Sequence, residues 1–196
     1  MSRVVLVRHC EPDEAARGRC YGSLDIGLSD DGRRHARALA ERLPPCDAVW
    51  TSPRLRARET AELLAATQHV DDDLRELDFG ELEGRTFDEI AVTQPELYRT
   101  WMETPTQVRF PGGESYADLK SRAVRSLERI HAAHRTAVVV THGGVIRAAL
   151  SACLGIPDEA VFRIDLEYGG MTIVERVEGV PIVRLVNGAS APPMTD

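Results

Sequence analysis

Lysine is almost missing from this 196-residue sequence, with Lys120 as the single lysine among 24 basic residues. Schiff-base enzymes use a lysine amine as their nucleophile, and a P-loop requires a lysine directly after a glycine. The scarcity of lysine therefore argues against both of these enzyme classes.

Positive net charge, long apolar runs and paired cysteines are missing as well. The net charge of −7 gives no support to nucleic-acid binding, which usually leaves a basic face. No apolar run approaches the roughly 20 residues of a membrane span, and the amino terminus lacks a signal-peptide pattern. We therefore expect a cytoplasmic protein without a membrane partner. The cysteines form no C-x-x-C pair, so the sequence supports neither a zinc knuckle nor a redox motif, and we expect free thiols; they are Cys10, Cys20, Cys46 and Cys153.

The sequence begins with a short apolar run that stops at two charged or polar residues. Val4 to Val7 show no polar alternation, which favours a strand buried on both faces, and Arg8 and His9 follow directly. In open α/β sheets the carboxyl ends of the strands face the crevice where ligands bind. We therefore expect Arg8 and His9 to lie in a site.

The same arrangement of strand, polar residue and helix recurs twice. Residues 47–51 predict a strand, and Ser52 with the proline after it predicts the cap and first turn of a helix. Residues 137–141 predict another strand, which ends at His142, and Gly143 opens the next helix. This alternation predicts a single three-layer α/β domain over residues 1–186.

The remaining segments complete this prediction. We expect a helix capped by Ser29, short helices between residues 71 and 111, a long helix over 114–134, strands over 161–166, 171–177 and 183–186, a hairpin turn at Glu178-Gly179, and a flexible tail over 187–196.

Three neighbouring parallel strands would bring two imidazoles and several guanidiniums into one crevice. A guanidinium is a planar, permanently charged fork that suits phosphate oxygens, and an imidazole is unprotonated for much of the time near neutral pH. The helix that starts at Gly143 would add backbone N–H groups at its positive end. This chemistry suits phosphoryl transfer, although it lacks a proton donor for the leaving alcohol.

Several sequence motifs follow one another in order over nearly the whole chain up to Val186. They are VLVRHCEP, RCYGSLDIGLSDDG, TSPRLRARETA, LRELDFGELEG, PGGES and VTHGGVIRA. With these motifs the sequence resembles the histidine phosphatase superfamily, also called phosphoglycerate mutase-like. The resemblance implies a phosphohistidine mechanism without metal or other cofactor, on a mixed, mostly parallel six-stranded sheet with helices on both faces.

The resemblance also implies a role for each site residue. His9 would be the phosphorylated nucleophile, Arg8 and Arg56 would bind the phosphoryl group, His142 would support the transition state, and Glu76 would be the proton donor. Further substrate contacts are expected from Arg19, Tyr21, Gly22 and Gly143.

The sequence departs from the family pattern at three positions. Cys10 replaces a common glycine, which makes it a packing residue or a redox thiol, and Ala15 replaces a common asparagine, for which Arg17 or Arg19 would compensate. Leu77 replaces the arginine that follows the acid in mutases, so a phosphatase for a small phosphorylated substrate is favoured over a mutase.

The RCYGSLD loop resembles the α-ribazole phosphatase branch, which suggests α-ribazole phosphate as the substrate. Mutase-type phosphoryl transfer and a non-catalytic phospholigand-binding module remain alternatives, and a homodimer is left open.

Several other residues are given structural roles. We expect Arg54 and Arg58 on the surface, and Ser115 as a helix cap, because no strand precedes it as a hydrolase nucleophile would require. The remaining histidines are also expected on the surface; they are His35, His69, His131 and His134.

Overall fold

A mixed sheet forms the centre of the protein, in a computed structural model that describes residues 1–64 and 67–192. The strands are β1 (Ser2–Arg8), β2 (Ala48–Thr51), β3 (His69–Val70), β4 (Thr136–Thr141), β5 (Met171–Val177) and β6 (Val180–Gly188). In space they follow the order β3-β2-β4-β1-β5-β6. The first four strands are parallel to one another, and β5 is antiparallel to both of its neighbours, β1 and β6. This arrangement confirms the predicted mixed, mostly parallel sheet of six strands.

Helices connect the strands. The α-helices of the described residues are α1 (Asp30–Ala40), α2 (Leu55–Glu62), α3 (Phe87–Thr93), α4 (Pro95–Glu103), α5 (Tyr116–Ala133) and α6 (Gly143–Leu154). Short 3₁₀ helices lie at Glu14–Ala16, Asp72–Leu74, Gly80–Leu82 and Asp158–Arg163. No helix of the described residues is both long enough and apolar enough to pass through a bilayer.

The apolar run of β1 is buried on both faces of the sheet. Val4 and Leu6 belong to one core cluster, which includes residues of α5 and α6, whereas Val5 and Val7 belong to a second cluster with residues of α1 and α2. Successive side chains of a strand point to opposite faces, so a central strand between two helical layers must be apolar throughout. The structure thus confirms the three-layer α/β/α sandwich.

Local sequence signals explain most of the element boundaries. The Ser29 hydroxyl accepts a hydrogen bond from Gly32 N (2.9 Å) at the start of α1, and Ser115 caps α5 as predicted. Glu178 and Gly179 have φ values of 52° and 84°, as a two-residue hairpin turn between β5 and β6 requires.

Other predictions about the elements were wrong. The segment over 161–166 contains no strand: Val161 is fully buried within the 3₁₀ helix, so its apolar side chain serves packing rather than strand pairing. The edge strand β3 was missed, because two residues are too few for a periodic pattern.

The carboxyl-terminal prediction was partly wrong. β6 continues to Gly188, which pairs with Met171 of β5, so residues 187 and 188 belong to the sheet. Of the predicted flexible tail, residues 193–196 lie outside the described residues.

His131 was also misplaced. It is buried, and its Nδ1 lies 2.9 Å from Ser2 Oγ. Burial lowers the pKa of this imidazole to about 4.

Candidate active site

Three adjacent strands deliver the site residues to one edge of the sheet. In the parallel register, Arg8 of β1 lies opposite Thr141 of β4, and Thr51 of β2 lies opposite Val140. The next residue of each strand therefore emerges at the same edge, and these residues are His9, Ser52 and His142. The convergence predicted from the three strand ends is confirmed.

His9 is held as a neutral imidazole. It is only 2 % exposed, and its Nδ1 lies 2.8 Å from the Cys10 carbonyl oxygen, which can only accept a hydrogen bond. The proton must therefore be on Nδ1, and Arg56 Nε donates to the Nε2 lone pair at 3.3 Å. Burial and the charge of Arg56 hold the pKa of His9 well below its usual value. His9 Nε2 is thus available as a nucleophile at neutral pH.

His142 faces His9 across the site. The two ring centroids are 5.1 Å apart, so a phosphoryl group can reach both rings at once. His142 Nε2 lies 2.7 Å from Ser52 Oγ, and Nδ1 has no hydrogen-bond partner within the described residues. Burial, followed by the charge of Arg56, lowers the pKa of His142 well below its usual value.

Two guanidiniums lie beside the imidazoles. Arg56 is fully buried, and it donates from Nη1 to Leu24 O (2.9 Å) and from Nη2 to Gly22 O (3.1 Å). Arg8 donates from Nη1 to Leu166 O, and its buried Nε has no partner in the part of the chain that the structure describes. Backbone carbonyls therefore hold both cations, and within the described residues neither guanidinium forms an ion pair with a carboxylate. This arrangement favours an anion.

Glu76 lies at the amino end of α6. Its carboxylate accepts hydrogen bonds from Leu77 N (2.9 Å) and Gly144 N (3.2 Å). A side chain at position 144 would collide with Glu76 Oε1, so glycine allows this close approach. The predicted proton donor thus lies next to the helix that His142 precedes.

A buried arginine of α5 fastens the segment that carries Glu76. Arg122, 4 % exposed, donates to the carbonyl oxygens of Asp73 (2.9 Å), Arg75 (2.6 Å) and Glu76 (3.0 Å). Glu114 accepts from the same guanidinium at 2.8 and 2.9 Å. Because one planar guanidinium binds three carbonyl oxygens within four consecutive residues, α5 fixes the position of Glu76.

The other predicted substrate residues are placed differently. Gly22 lies against the Leu77 carbonyl, with no room for a side chain, and the Tyr21 ring covers Arg56 at 4.9 Å. Arg19, by contrast, is exposed and donates to Gly84 O (2.7 Å), and no contact joins it to His9 or His142. Its predicted role beside the phosphate therefore finds no support in the structure, because the strand bridge from Arg19 to Thr86 directs it elsewhere.

Gly143 opens α6 beside two arginines. Arg147, one helical turn further on, has Nη1 2.9 Å from the point that a Cβ of residue 143 would occupy, and Arg8 Nε is 3.8 Å from it. Arg147 thus adds a further cation to this edge of the site. Within the described residues, no three His, Cys, Asp or Glu side chains are grouped to hold a metal ion.

Comparison with known proteins decides the family. The profile of the histidine phosphatase superfamily (branch 1) matches residues 4–188. The chain belongs to this superfamily. The prediction of a histidine phosphatase-type hydrolase is thus confirmed at the level of the family.

Individual relatives agree with this assignment. The chain is 36 % identical over 196 residues to the bifunctional protein Rv2228c of Mycobacterium tuberculosis, covering 95 % of this chain and 54 % of that protein. It thus spans about half the length of this relative. It is 31 % identical to phosphoserine phosphatase 1 of Hydrogenobacter thermophilus, covering 95 % and 92 % of the two chains.

Solved structures share the fold. A putative α-ribazole-5′-P phosphatase of Escherichia coli superimposes with a TM-score of 0.90 at 23 % identity, covering 98 % of this chain and 99 % of that chain. This similarity concerns the fold alone.

Sequence reasoning missed several residues of this histidine phosphatase site. Ser52 was predicted as a helix cap, but α2 begins at Leu55 after Arg54, and Ser52 binds His142 instead. Arg54 is half-buried rather than on the surface, and its charge contributes to the low pKa of His142. Tyr168 had no signal in the sequence, because it lies in a loop before β5 that has no helical or strand period.

Cys10 lies beside His9 but away from solvent. Its side chain is fully buried, and its backbone N–H donates to Thr60 Oγ1 at 3.1 Å. Burial raises the pKa of the thiol to about 11. A thiol that is protonated and inaccessible reacts slowly with oxidants, so the packing role is favoured over the redox role.

Proposed function

We propose that this chain is a metal-independent phosphomonoesterase that acts on a small phosphorylated metabolite through a phosphohistidine. The observation that carries the proposal is the His9 imidazole, held unprotonated at Nε2 beside His142 and the Arg56 guanidinium. Anion binding alone requires only the cations. A buried neutral imidazole among those cations supports catalysis rather than binding.

In the first half-reaction, His9 Nε2 attacks phosphorus while the bond from phosphorus to the leaving oxygen breaks. Arg8 and Arg56 neutralise the phosphoryl oxygens, and Glu76 gives its proton to the leaving oxygen. In the second half-reaction, the Glu76 carboxylate takes a proton from water, whose oxygen attacks phosphorus as the bond to Nε2 breaks. Inorganic phosphate leaves, and His9 and Glu76 return to their starting states.

His142 supports both half-reactions as a hydrogen-bond donor. Its Nε2 faces the Ser52 hydroxyl, so a proton on Nδ1 leaves that nitrogen free to donate to a phosphoryl oxygen. Preorganised donors of this kind contribute most where charge develops in the transition state.

Position 77 supports a phosphatase rather than a mutase. Leu77, directly after the proposed proton donor, is buried in the main core cluster and offers no cation to a second substrate group. The intermediate is therefore expected to pass its phosphoryl group to water.

The substrate is proposed from the loop and from the relatives. The loop from Arg19 to Asp25 resembles the α-ribazole phosphatase branch, which makes α-ribazole phosphate the first candidate, and phosphoserine is the second because a relative is named for it. A cytoplasmic location and a homodimer stay predictions; sedimentation of the purified chain tests the latter.

The test is hydrolysis of p-nitrophenyl phosphate and of a set of phosphorylated metabolites in excess EDTA. We expect activity that is lost in His9→Ala, and an acid-labile phosphoryl group on the wild-type chain after rapid quenching. Activity that survives in His9→Ala removes the histidine mechanism, and inactivation by EDTA removes metal independence. No hydrolysis of any ester favours the binding module.

A further inference from the structure

Two tyrosine rings cover the two phosphate-binding arginines. The Tyr168 ring lies over Arg8, with 4.1 Å from the guanidinium carbon to the ring centroid, and the Tyr21 ring lies over Arg56 at 4.9 Å. A guanidinium over an aromatic face is attracted by the ring quadrupole, and its plane is kept from rotating. Tyr168 also lies 5.5 Å from the His9 ring, centroid to centroid.

Each arginine is further anchored by the loop that carries its tyrosine. Arg8 donates to Leu166 O, two residues before Tyr168. Arg56 donates to Gly22 O, one residue after Tyr21, and to Leu24 O. Each tyrosine loop therefore forms one unit with the arginine that it binds: Tyr168 with Arg8, and Tyr21 with Arg56.

The two units meet through the tyrosine hydroxyls. Tyr21 Oη and Tyr168 Oη are 3.0 Å apart, although 147 residues separate them in the sequence. Burial and this hydrogen bond raise the pKa of Tyr21 above its usual value. The phenol proton that the bond requires is thus retained at neutral pH.

Both rings also reach a neighbouring cavity. It has a volume of about 690 Å³ and is lined by Tyr21, Tyr168 and residues of the segments 11–18 and 29–31. The two tyrosines therefore contact the two arginines and also border a space that is open to solvent.

We propose that Tyr21 and Tyr168 are positioning residues, whose mutual hydrogen bond holds the Arg8 and Arg56 guanidiniums at the spacing that a phosphoryl group requires. The inference rests on the proposed phosphoryl-binding role of these arginines. When the two cations are already ordered, binding does not lose the conformational entropy of ordering them, so the affinity is higher.

The test measures the affinity for inorganic phosphate by calorimetry in the full chain. Tyr21→Phe, Tyr168→Phe and the double variant keep both rings over the arginines and remove only the hydroxyls. Tyr98→Phe is the matched control, since Tyr98 lies in α4 and is packed against the main core cluster. Thermal unfolding of each variant verifies that it is folded.

We expect each single variant to raise the Kd for inorganic phosphate about fivefold, the effect of one neutral hydrogen bond. The double variant should be no weaker than either single variant, because both remove the same bond. Tyr98→Phe should leave the Kd unchanged. A purely structural role of each tyrosine predicts additive losses instead.

Three outcomes overturn the inference: an unchanged Kd in the single variants, additive losses in the double variant, or an equal loss in Tyr98→Phe. The proposed function is tested independently of this inference, because the binding of inorganic phosphate requires no turnover. Hydrolysis that survives in His9→Ala refutes the histidine mechanism but leaves the tyrosine bridge intact. A wild-type chain that does not bind inorganic phosphate contradicts both.

Discussion

Ser52→Ala is the substitution that tests the proposed role of His142 most directly. Ser52 is fully buried, and its Oγ lies 2.7 Å from His142 Nε2 and accepts a hydrogen bond from Arg54 N at 3.2 Å. With Arg54 N as the donor to it, the hydroxyl is free to donate its own proton to Nε2. The imidazole is neutral, so its single proton is then on Nδ1, the atom proposed to face the phosphoryl group.

The expected magnitude follows from this bond. Its removal leaves a buried Nε2 atom unsatisfied, which costs about 1–3 kcal/mol. This free energy destabilises the tautomer with the proton on Nδ1, which is the one proposed to support the reaction. A loss of about 1–3 kcal/mol corresponds to a drop of about 5- to 150-fold in kcat/KM. The thermal stability of the protein also decreases, but less than this, because the imidazole proton can move from Nδ1 to Nε2.

Two measurements separate catalysis from folding. Steady-state kinetics with p-nitrophenyl phosphate give kcat/KM, and histidine ¹⁵N spectra show which ring nitrogen of His142 carries the proton. Ser126→Ala is the matched control, because Ser126 is equally buried and its hydroxyl donates to Asp71 Oδ2 at 2.6 Å, on α5 rather than at the strand ends. This control should lose stability but retain kcat/KM.

The reasoning is refuted if Ser52→Ala keeps kcat/KM within twofold of the wild type, or if His142 has its proton on Nε2 in the wild-type chain. Either result would mean that the serine does not select the tautomer.

Three further predictions concern the acid, its support and the pH dependence of stability. Glu76→Ala should spare the binding of inorganic phosphate but slow turnover of an ester with a poor leaving group by about 10²- to 10⁴-fold; unchanged turnover rejects the role. Arg122→Met should lower kcat for the same ester far more than for p-nitrophenyl phosphate, because it releases the Glu76 segment; equal losses for both esters would contradict this. The pKa of His131 is lowered to about 4 in the folded chain. Between about pH 4 and pH 6.5 the unfolded chain therefore binds more protons than the folded chain. The free energy of unfolding should fall by up to about 3 kcal/mol as the pH drops through this window. Denaturant unfolding of His131→Phe should show a weaker pH dependence, and an unchanged slope would contradict the assignment.

Much of the fold is encoded in local patterns. The run from Val4 to Val7 predicted a strand buried on both faces, because four consecutive apolar residues leave neither face of a strand polar. Ser29 and Ser115 predicted helix starts for an equally local reason, since a cap binds an N–H group only three residues away.

The central members of the site were also within reach of the sequence. Arg8 is the last residue of an apolar strand, His9 and His142 each directly follow one, and parallel strands end at the same edge of a sheet. The roles of Arg56 and Glu76 required the family resemblance, because neither residue ends a strand and nothing in the local pattern distinguishes them from surface charges.

The tertiary structure alone decided which side chains meet. Ser52 and His142 are 90 residues apart, and Tyr21 and Tyr168 are 147 apart; both pairs depend on which strands are neighbours and on how two loops face each other. Arg19 and Ser52 show the limit of a local reading. Arg19 makes its hydrogen bond away from the site in which the resemblance placed it, whereas Ser52, predicted only as a helix cap, contacts His142 in the site. A sequence pattern records the hydrogen bonds and burial that a segment can satisfy with its own neighbours. The contacts that make the site arise from distant segments, and they exist only when the sheet has brought those segments together.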